Sequence, residues 1–147
     1  SATKSTLLNL KSKDFYTGMI TGDNINTAIS ISKTCGLVDL KQEDIAICIY
    51  GSAKAALKYT LINEQGDPIG DIDPESRKHM GRRLVGAMDN KNFQKIQTDF
   101  GLDLNKPINI KESPVLVEIA EKVRIFARMN PVQKALIVII FKEFYRN

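Results

Sequence analysis

The chain has 147 residues, 43% of them apolar and 26% charged, and its formal net charge is +4. These values are typical of one ordinary globular domain and exclude disordered, collagen-like and coiled-coil proteins. The positive charge is too small to indicate nucleic acid binding by itself. The longest apolar run, residues 135–141, is far shorter than the roughly 20 residues that cross a bilayer. Cys35 and Cys48 are too few for a disulfide framework, suit a reducing compartment, and are expected to be buried.

The first quarter of the sequence predicts half of an α/β repeat. Residues 3–12 predict an amphipathic helix, and residues 15–21 (FYTGMIT) predict a strand. Residues 22–24 form a turn, because Gly and Asn tolerate the backbone angles of a sharp reversal. A helix over residues 25–35 follows, capped by Asp23 or Asn24 and ended by Gly36. The order helix, strand, turn, helix is typical of an α/β fold.

The middle of the chain has weaker patterns. Residues 45–50 (IAICIY) form a short apolar run that predicts a buried strand, and residues 59–63 predict a second one. An acidic stretch over residues 64–75 is followed by a basic stretch over residues 77–83. Charge runs of this kind predict a solvated surface loop. We therefore expect no regular element between residues 64 and 83.

The last third predicts three helices and one strand. A helix from Asn90 to Phe100 has Asp89 or Asn90 as its cap, and a second helix covers residues 114–121, with a proline in its first turn. Residues 123–127 (VRIFA) predict a strand. Asn130 caps the last helix, which Pro131 begins and which continues to Tyr145.

Two segments place polar residues where a strand ends and a helix begins, residues 19–24 and residues 126–134. Ligands of open α/β sheets bind beyond the carboxyl ends of the strands. Free amides and the helix dipole favour anions there, above all phosphate. The Thr21 hydroxyl and the Gly22 amide can bind phosphoryl oxygens, and Lys134 can neutralise the remaining charge. The alternative explanation is ordinary helix capping beside a surface lysine.

The same segments resemble the P-type ATPases. Residues 21–24 (TGDN), 27–28 (TA) and 35–36 (CG) resemble the hinge motif of that family. Residues 127–134 (ARMNPVQK) resemble the second motif of its phosphorylation domain. Both are most similar to the fifth class, in the branch associated with polyamine and endosomal or lysosomal cation transport.

The resemblance implies a fold and a domain organisation. The fold is α/β, a partial Rossmann-like, haloacid-dehalogenase-like three-layer structure with a mainly parallel sheet. Residues 1–147 would form a single domain, a fragment of the phosphorylation domain. Residues 39–122 would be a family-variable insertion within it.

The resemblance also implies roles for particular residues. Thr21 would bind the phosphoryl group of an aspartyl-phosphate together with the Gly22 amide, and Lys134 would contact the phosphoryl group and the nucleophilic carboxylate. These residue types suit phosphoryl transfer, which depends on positioning and charge neutralisation. Asp23 and Arg128 would lie near the nucleotide ribose. Asn24 belongs to the nucleotide-binding motif, although a capping role would also explain it.

Two motifs of the family are absent from this sequence: the Asp-Lys-Thr-Gly-Thr motif of the nucleophile and the Gly-Asp-Gly-x-Asn-Asp motif of the magnesium ligands. The abrupt ends suggest that the chain was cut from a longer protein. The parent would be an integral membrane ATPase of an endosomal, lysosomal or other internal membrane, and this segment would face the cytosol. It would use ATP and Mg2+ and pair with the nucleotide-binding domain, the actuator domain and the membrane helices. The isolated chain is expected to be inactive, without a metal site and without a tightly bound cofactor.

Three expectations remain open at this stage. Without the nucleophile strand, the strand at residues 15–21 would keep a bare edge and promote self-association, or the monomer would rearrange and cover it with its own insertion. A Rossmann-like phosphate- or nucleotide-binding module without catalysis is an alternative function. The third is a basic domain that binds acidic lipids or nucleic acid through its basic stretch, with nucleic acid disfavoured by the weak charge. The basic residues concerned are Arg77, Lys78, Arg82 and Arg83.

Overall fold

The chain folds around one β-sheet in a computed structural model that describes residues 5–9, 17–78 and 80–146. The strands in these ranges are β1 Thr6–Leu8, β2 Gly18–Ile20, β3 Glu43–Ile49, β4 Lys58–Ile62, β5 Pro68–Ile72, β6 Arg83–Asp89 and β7 Val123–Ala127. The helices are α1 Ile25–Thr34, α2 Pro74–Lys78, α3 Asn90–Phe100, α4 Pro114–Lys122 and α5 Pro131–Tyr145, with a 3-10 turn at Ile110–Glu112.

The sheet has a parallel centre and antiparallel edges. Its strand order over the described residues is β1-β2-β7-β6-β3-β4-β5. Strands β2, β7, β6 and β3 pair in parallel, whereas β1 runs antiparallel to β2, and the β4–β5 hairpin is antiparallel to β3. In the register of β2 and β7, Met19 lies opposite Ile125, and Ile20 lies opposite Phe126. The two strands that precede the candidate motifs are therefore direct neighbours.

Helices cover both faces of the sheet. Alternate side chains of β2 divide between two buried clusters, because successive residues of a strand point to opposite faces. Met19 packs with Ala28 and Ile29 of α1 on one face. Ile20 belongs to the larger cluster that α3, α4 and α5 build on the other face. The α/β three-layer arrangement predicted from the sequence is thus confirmed, with the parallel part confined to the centre of the sheet.

The predicted helix over residues 3–12 is wrong where the structure describes it. Residues 6–8 form β1, which pairs with residues 18–20 of β2. Leu7 packs against the α1 cluster and Leu8 is buried in the opposite one, which is the alternation of a strand rather than of a helix. Strand pairing with β2 therefore outweighs the local helical pattern. The edge of β2 that was expected to be bare is covered by β1, whereas self-association itself stays a prediction.

Two parts of these early predictions lie outside the described residues: positions 3–4 and 10–12 of the helix, and positions 15–16 of the strand. The described carboxyl part of that strand is confirmed as β2. The turn and helix that follow it are confirmed too, and Gly36 has the positive φ of +79° that favours glycine after a helix.

The region over residues 39–122 supplies strands to the same sheet instead of lying apart from it. Both predicted strands are present, as β3 and β4. Residues 64–83, however, contain β5 and the short helix α2, so the prediction of a loop without regular elements is wrong. Most of their side chains are exposed, which explains why charge dominated the pattern. That this region is a family-variable insertion stays a prediction.

Strand β6, at the centre of the sheet, was not predicted at all. Gly86 interrupts its apolar run, and glycine is unfavourable inside a strand. The structure gives the reason for the glycine: a Cβ at this position would overlap the Cys48 sulfur of β3 and crowd the Lys122 carbonyl. Gly86 therefore permits a close approach of the neighbouring backbone. Cys48 is buried as expected, but Cys35 is exposed, so that prediction was wrong.

Candidate functional site

The loops that follow β2 and β7 are joined to each other by backbone hydrogen bonds. The Thr21 N–H donates to the carbonyl of Phe126 at 2.9 Å, and the Met129 N–H donates back to the Thr21 carbonyl at 3.0 Å. The Arg128 N–H donates to the carbonyl of Asp23 at 2.8 Å. The pairing of β2 with β7 thus continues beyond the sheet. The two sequence motifs form one continuous backbone structure at the carboxyl edge.

Arg128 has an unusual backbone conformation. Its φ of +58° lies in the left-handed region, which costs a residue other than glycine on the order of 1–3 kcal/mol. The side chain is exposed, whereas Ala127 and Met129 on either side are buried. At this turn the N–H groups of Arg128 and Met129 both donate to the loop after β2. These two bonds stabilise the strained turn.

Thr21 lies at the base of the joined loops and is fully buried. Its hydroxyl donates to the Asp23 carboxylate at 3.2 Å and accepts the Asp23 N–H at 3.1 Å. Gly22 and Asp23 are only partly buried, so the turn above Thr21 faces the surface. A buried hydroxyl and a partly exposed Gly22 therefore lie directly at the end of β2.

The start of α5 is fixed by a network of side chains. The Asn130 side chain accepts the Gln133 N–H at 2.8 Å, and the Gln133 side chain accepts the Asn130 N–H at 3.0 Å, which is a capping box. The Gln133 amide group also donates to Gln97 of α3 at 3.0 Å and to the Asn90 carbonyl at 3.3 Å. Lys134, which is half-buried, follows directly in this first turn. Its position is consequently tied to α3 as well as to β7.

The predicted site residues take three different positions in the structure. Thr21 and Gly22 follow β2, and Lys134 begins the helix after β7, so these three belong to the ends of adjacent parallel strands. Asn24 caps α1 instead: its side-chain oxygen accepts the Thr27 N–H at 2.9 Å. The capping alternative therefore explains this residue.

Asp23 and Arg128 lie beside each other through their backbones. Among the described residues, no ion pair joins the Asp23 carboxylate to the Arg128 guanidinium. The carboxylate instead accepts the Thr21 hydroxyl. Their neighbourhood follows from the joined loops rather than from a salt bridge.

Gln133 is the site residue to which sequence reasoning assigned no role. It is almost completely buried, with 3% of its surface exposed, and it connects α5 to α3. The spacing Asn130-x-x-Gln133 is the capping-box pattern and could have indicated half of this network. The bond to Gln97 depends on the packing of α3 against α5 and has no local signal.

The described ranges contain neither a cluster of metal ligands nor a helix that could span a membrane. No group of three or more His, Cys, Asp or Glu side chains there is arranged to hold a metal ion. Asp89, the last residue of β6, caps α3, because its carboxylate accepts the Asn92 N–H at 3.0 Å. None of the described helices combines the length and the apolar character needed to cross a membrane.

Fold and loops together define an open-sheet, Rossmann-like α/β protein with a polar site at the carboxyl edge. No protein-family model matches the chain. It is 32% identical over 152 aligned positions to the human protein named "Probable cation-transporting ATPase 13A4", and 27% identical over 152 positions to the protein of that name from Gallus gallus. Each alignment covers 96% of this chain but only 12% of the relative. These relatives support a fragment of a P-type ATPase, and the chain spans about an eighth of their length.

Proposed function

We propose that the chain is the central part of the phosphorylation domain of an ATP-driven, cation-transporting P-type ATPase of the fifth class. In this proposal Thr21, Gly22 and Lys134 bind the phosphoryl group of an aspartyl-phosphate. The aspartate would come from sequence outside the chain, because no Asp-Lys-Thr-Gly-Thr motif occurs here. The parent would couple ATP hydrolysis to transport, with cations or polyamines as the transported class.

One observation carries the proposal: the loops after β2 and β7 are hydrogen-bonded to each other at the carboxyl edge of adjacent parallel strands. This is the edge at which open α/β sheets bind ligands. A hydroxyl, a backbone amide and an ammonium group supply both the hydrogen bonds and the positive charge that a phosphoryl group requires.

The chemistry assigned to each group follows from its position. Thr21 and the Gly22 amide would donate to phosphoryl oxygens, for which the Thr21 hydroxyl turns away from the Asp23 carboxylate. The Lys134 ammonium would neutralise charge on the transferred group and on the attacking carboxylate. The capping box and the contact of Gln133 with α3 would hold Lys134 in place.

Asp23 and Arg128 are proposed to lie near the ribose of ATP, and Asn24 acts through the cap of α1. ATP and Mg2+ would be bound only with the help of the nucleotide-binding domain and of magnesium ligands outside the chain. The parent would be an integral protein of an endosomal, lysosomal or other internal membrane, with this segment on the cytosolic side. Its partners would be the nucleotide-binding domain, the actuator domain and the membrane helices of the same protein.

The proposal is tested by phosphoenzyme formation from radiolabelled ATP in the full-length protein. Lys134→Ala should reduce the phosphoenzyme by at least tenfold, because a charge-assisted hydrogen bond contributes roughly 1.5–3 kcal/mol. The matched control is Lys142→Ala, which removes an exposed lysine from the last turn of the same helix. Equal phosphoenzyme levels in the two variants would overturn the role of Lys134. Phosphate binding without any phosphoenzyme would favour the non-catalytic binding module.

The isolated chain gives a second test. We expect it to release no phosphate from ATP or from small phosphomonoesters in the presence of Mg2+, because it contains no nucleophile motif. A magnesium-dependent phosphatase activity that Lys134→Ala abolishes would contradict this expectation.

A further inference from the structure

A cleft lies at the amino ends of the parallel strands β3, β6 and β7. It is on the side of the sheet opposite the carboxyl strand ends at which the candidate phosphoryl site lies. Among the residues that line it, two are carboxylates, Glu43 and Glu121, and five are cations. The cations are Lys78, Arg82, Arg83, Lys122 and Arg124. The cleft is therefore separated from Thr21 and Lys134 by the length of the strands, and its lining is predominantly basic.

Not all of these cations are available to a ligand. Arg82 donates to both oxygens of the Asp44 carboxylate, at 2.9 Å and 3.0 Å. It also donates to the Leu40 carbonyl at 2.9 Å, and the Asp44 carboxylate raises the pKa of the Arg82 guanidinium. Arg82 thus holds the loop before β3 to the start of β6 and has a structural role.

Two further cations have weak partners. Arg83 lies 3.6 Å from the Glu43 carboxylate, but 69% of its side chain is exposed. Lys78 lies 3.3 Å from the Glu75 carboxylate, and both side chains are largely exposed. Ion pairs of this kind contribute little and exchange readily with other anions. These two residues form an exposed rim of positive charge.

Lys122 and Arg124 form the floor of the cleft. Both are half-buried. In the part of the chain that the structure describes, neither a hydrogen bond nor an ion pair engages the Lys122 ammonium. Within the described ranges, Arg124 makes one side-chain hydrogen bond, to the Thr17 carbonyl at 3.2 Å. No ion pair of either side chain is found among the described residues, although Glu43 and Glu121 line the same cleft, so an anion bound there would pair with both cations.

We propose that this cleft is a second anion site that binds a phosphomonoester or inorganic phosphate. Lys122 and Arg124 provide the primary contacts, and Arg83 and Lys78 close over the ligand from the rim. The tetrahedral dianion matches this arrangement, because the guanidinium of Arg124 offers a planar pair of donors and Lys122 offers a point charge. The site does not depend on the phosphoryl-binding role of Thr21 and Lys134.

The test is a titration of the chain with inorganic phosphate, followed by backbone amide shifts. The amides of residues 122–124 and 83–85 should shift, and Lys122→Gln should weaken this binding about tenfold. The control Lys106→Gln removes the same charge from an exposed loop and should change binding less than twofold. Lys122→Arg should restore most of the affinity, and Lys134→Ala should leave these shifts intact.

A second experiment distinguishes a lipid headgroup from a soluble phosphate as the ligand. The chain is sedimented with vesicles of phosphatidylcholine alone or with added phosphatidic acid. Binding to the acidic vesicles that depends on Lys122 assigns the site to a lipid headgroup, whereas Lys122-dependent shifts with inorganic phosphate alone assign it to a soluble ligand. Both results support the proposal. Shifts confined to residues 22 and 134, no binding in either experiment, or equal losses in Lys122→Gln and Lys106→Gln would overturn it.

Discussion

The backbone N–H of Arg128 donates to the carbonyl oxygen of Asp23 at 2.8 Å, although these residues lie more than a hundred positions apart in the sequence. This bond joins the two motifs that resemble the P-type ATPases. It forms because β2 and β7 are parallel neighbours and because Arg128 adopts a left-handed turn at the end of β7. The stability of the candidate site can therefore be tested through the backbone as well as through its polar side chains.

The left-handed turn predicts an unusual response to substitution. The free energy of unfolding of Arg128→Gly should be about 1 kcal/mol higher than that of Arg128→Ala. Glycine adopts a φ of +58° without the steric cost of a Cβ. Both variants lose the exposed side chain, so the difference isolates the backbone conformation. Urea denaturation followed by circular dichroism measures it. A less stable glycine variant would show that the turn is not strained.

The cap of α5 predicts a loss of stability. Asn130→Ala should lower the free energy of unfolding by about 1 kcal/mol, because the Gln133 N–H loses its acceptor and the reciprocal bond of the capping box weakens. Asn130→Asp keeps an acceptor at this position and should recover most of the loss. Asn24→Ala, at the start of α1, serves as a cap of the same chemistry away from Lys134. Identical unfolding curves for the wild type and Asn130→Ala would refute the role of the cap.

The close approach at Gly86 predicts a coupled pair of substitutions. Gly86→Ala should destabilise the protein by about 1–3 kcal/mol, because the new methyl group would overlap the Cys48 sulfur. Removing that sulfur with Cys48→Ala should make the same Gly86→Ala change less costly. A double-mutant cycle of denaturation free energies measures this coupling. Additive effects would mean that the Lys122 carbonyl, and not the sulfur, sets the limit.

Two buried acids predict how stability responds to alkaline pH. Burial raises the pKa of the Cys48 thiol above its ordinary value of 9.0. Burial, together with the Glu118 carboxylate that accepts the Tyr59 hydroxyl at 2.7 Å, raises the pKa of Tyr59 above its ordinary value of 10.0. The unfolded chain releases these protons first, so the stability that is complete below about pH 9 is lost as the pH rises further.

The free energy of unfolding should fall by about 1.4 kcal/mol per pH unit for each group that stays protonated only in the folded state. Denaturation free energies between pH 8 and pH 11 measure it. Tyr59→Phe removes one contribution and should make the decline above pH 10 shallower. A decline that begins below pH 8, or one that Tyr59→Phe leaves unchanged, would contradict this assignment.

Local chemistry made much of the fold predictable. A short polar side chain followed by a periodic apolar pattern predicts the cap at Asn130 and narrows the other two caps to Asp23 or Asn24 and to Asp89 or Asn90. The structure confirms the start of all three helices and selects Asn24 and Asp89. Strand β6 was missed because its glycine is explained only by Cys48 and Lys122, which are distant in sequence. Strand β1 was misread because its partner is another strand, and pairing of this kind leaves no periodic signal in three residues.

The candidate site likewise combines features that the local sequence predicts with features that it does not. The sequence positions predict polar residues at the ends of β2 and β7, but only the structure shows that these two strands are neighbours. The positive φ of Arg128 and the bond from Gln133 to Gln97 were not predicted. Both depend on which loops and helices meet after folding, and such information is absent from a single local segment.

Strand β1 has a further consequence for how the sheet can grow. In the described part of the chain it pairs with β2 at three positions, and two strands that pair over so few residues hold each other weakly. At the far side, β5 begins with Pro68, which has no N–H to offer an incoming chain, so that border resists extension. The two borders of the sheet are therefore unequal. An additional strand would replace β1 and pair with β2. The sheet would then gain its new strand beside Thr21, where the polar loops meet.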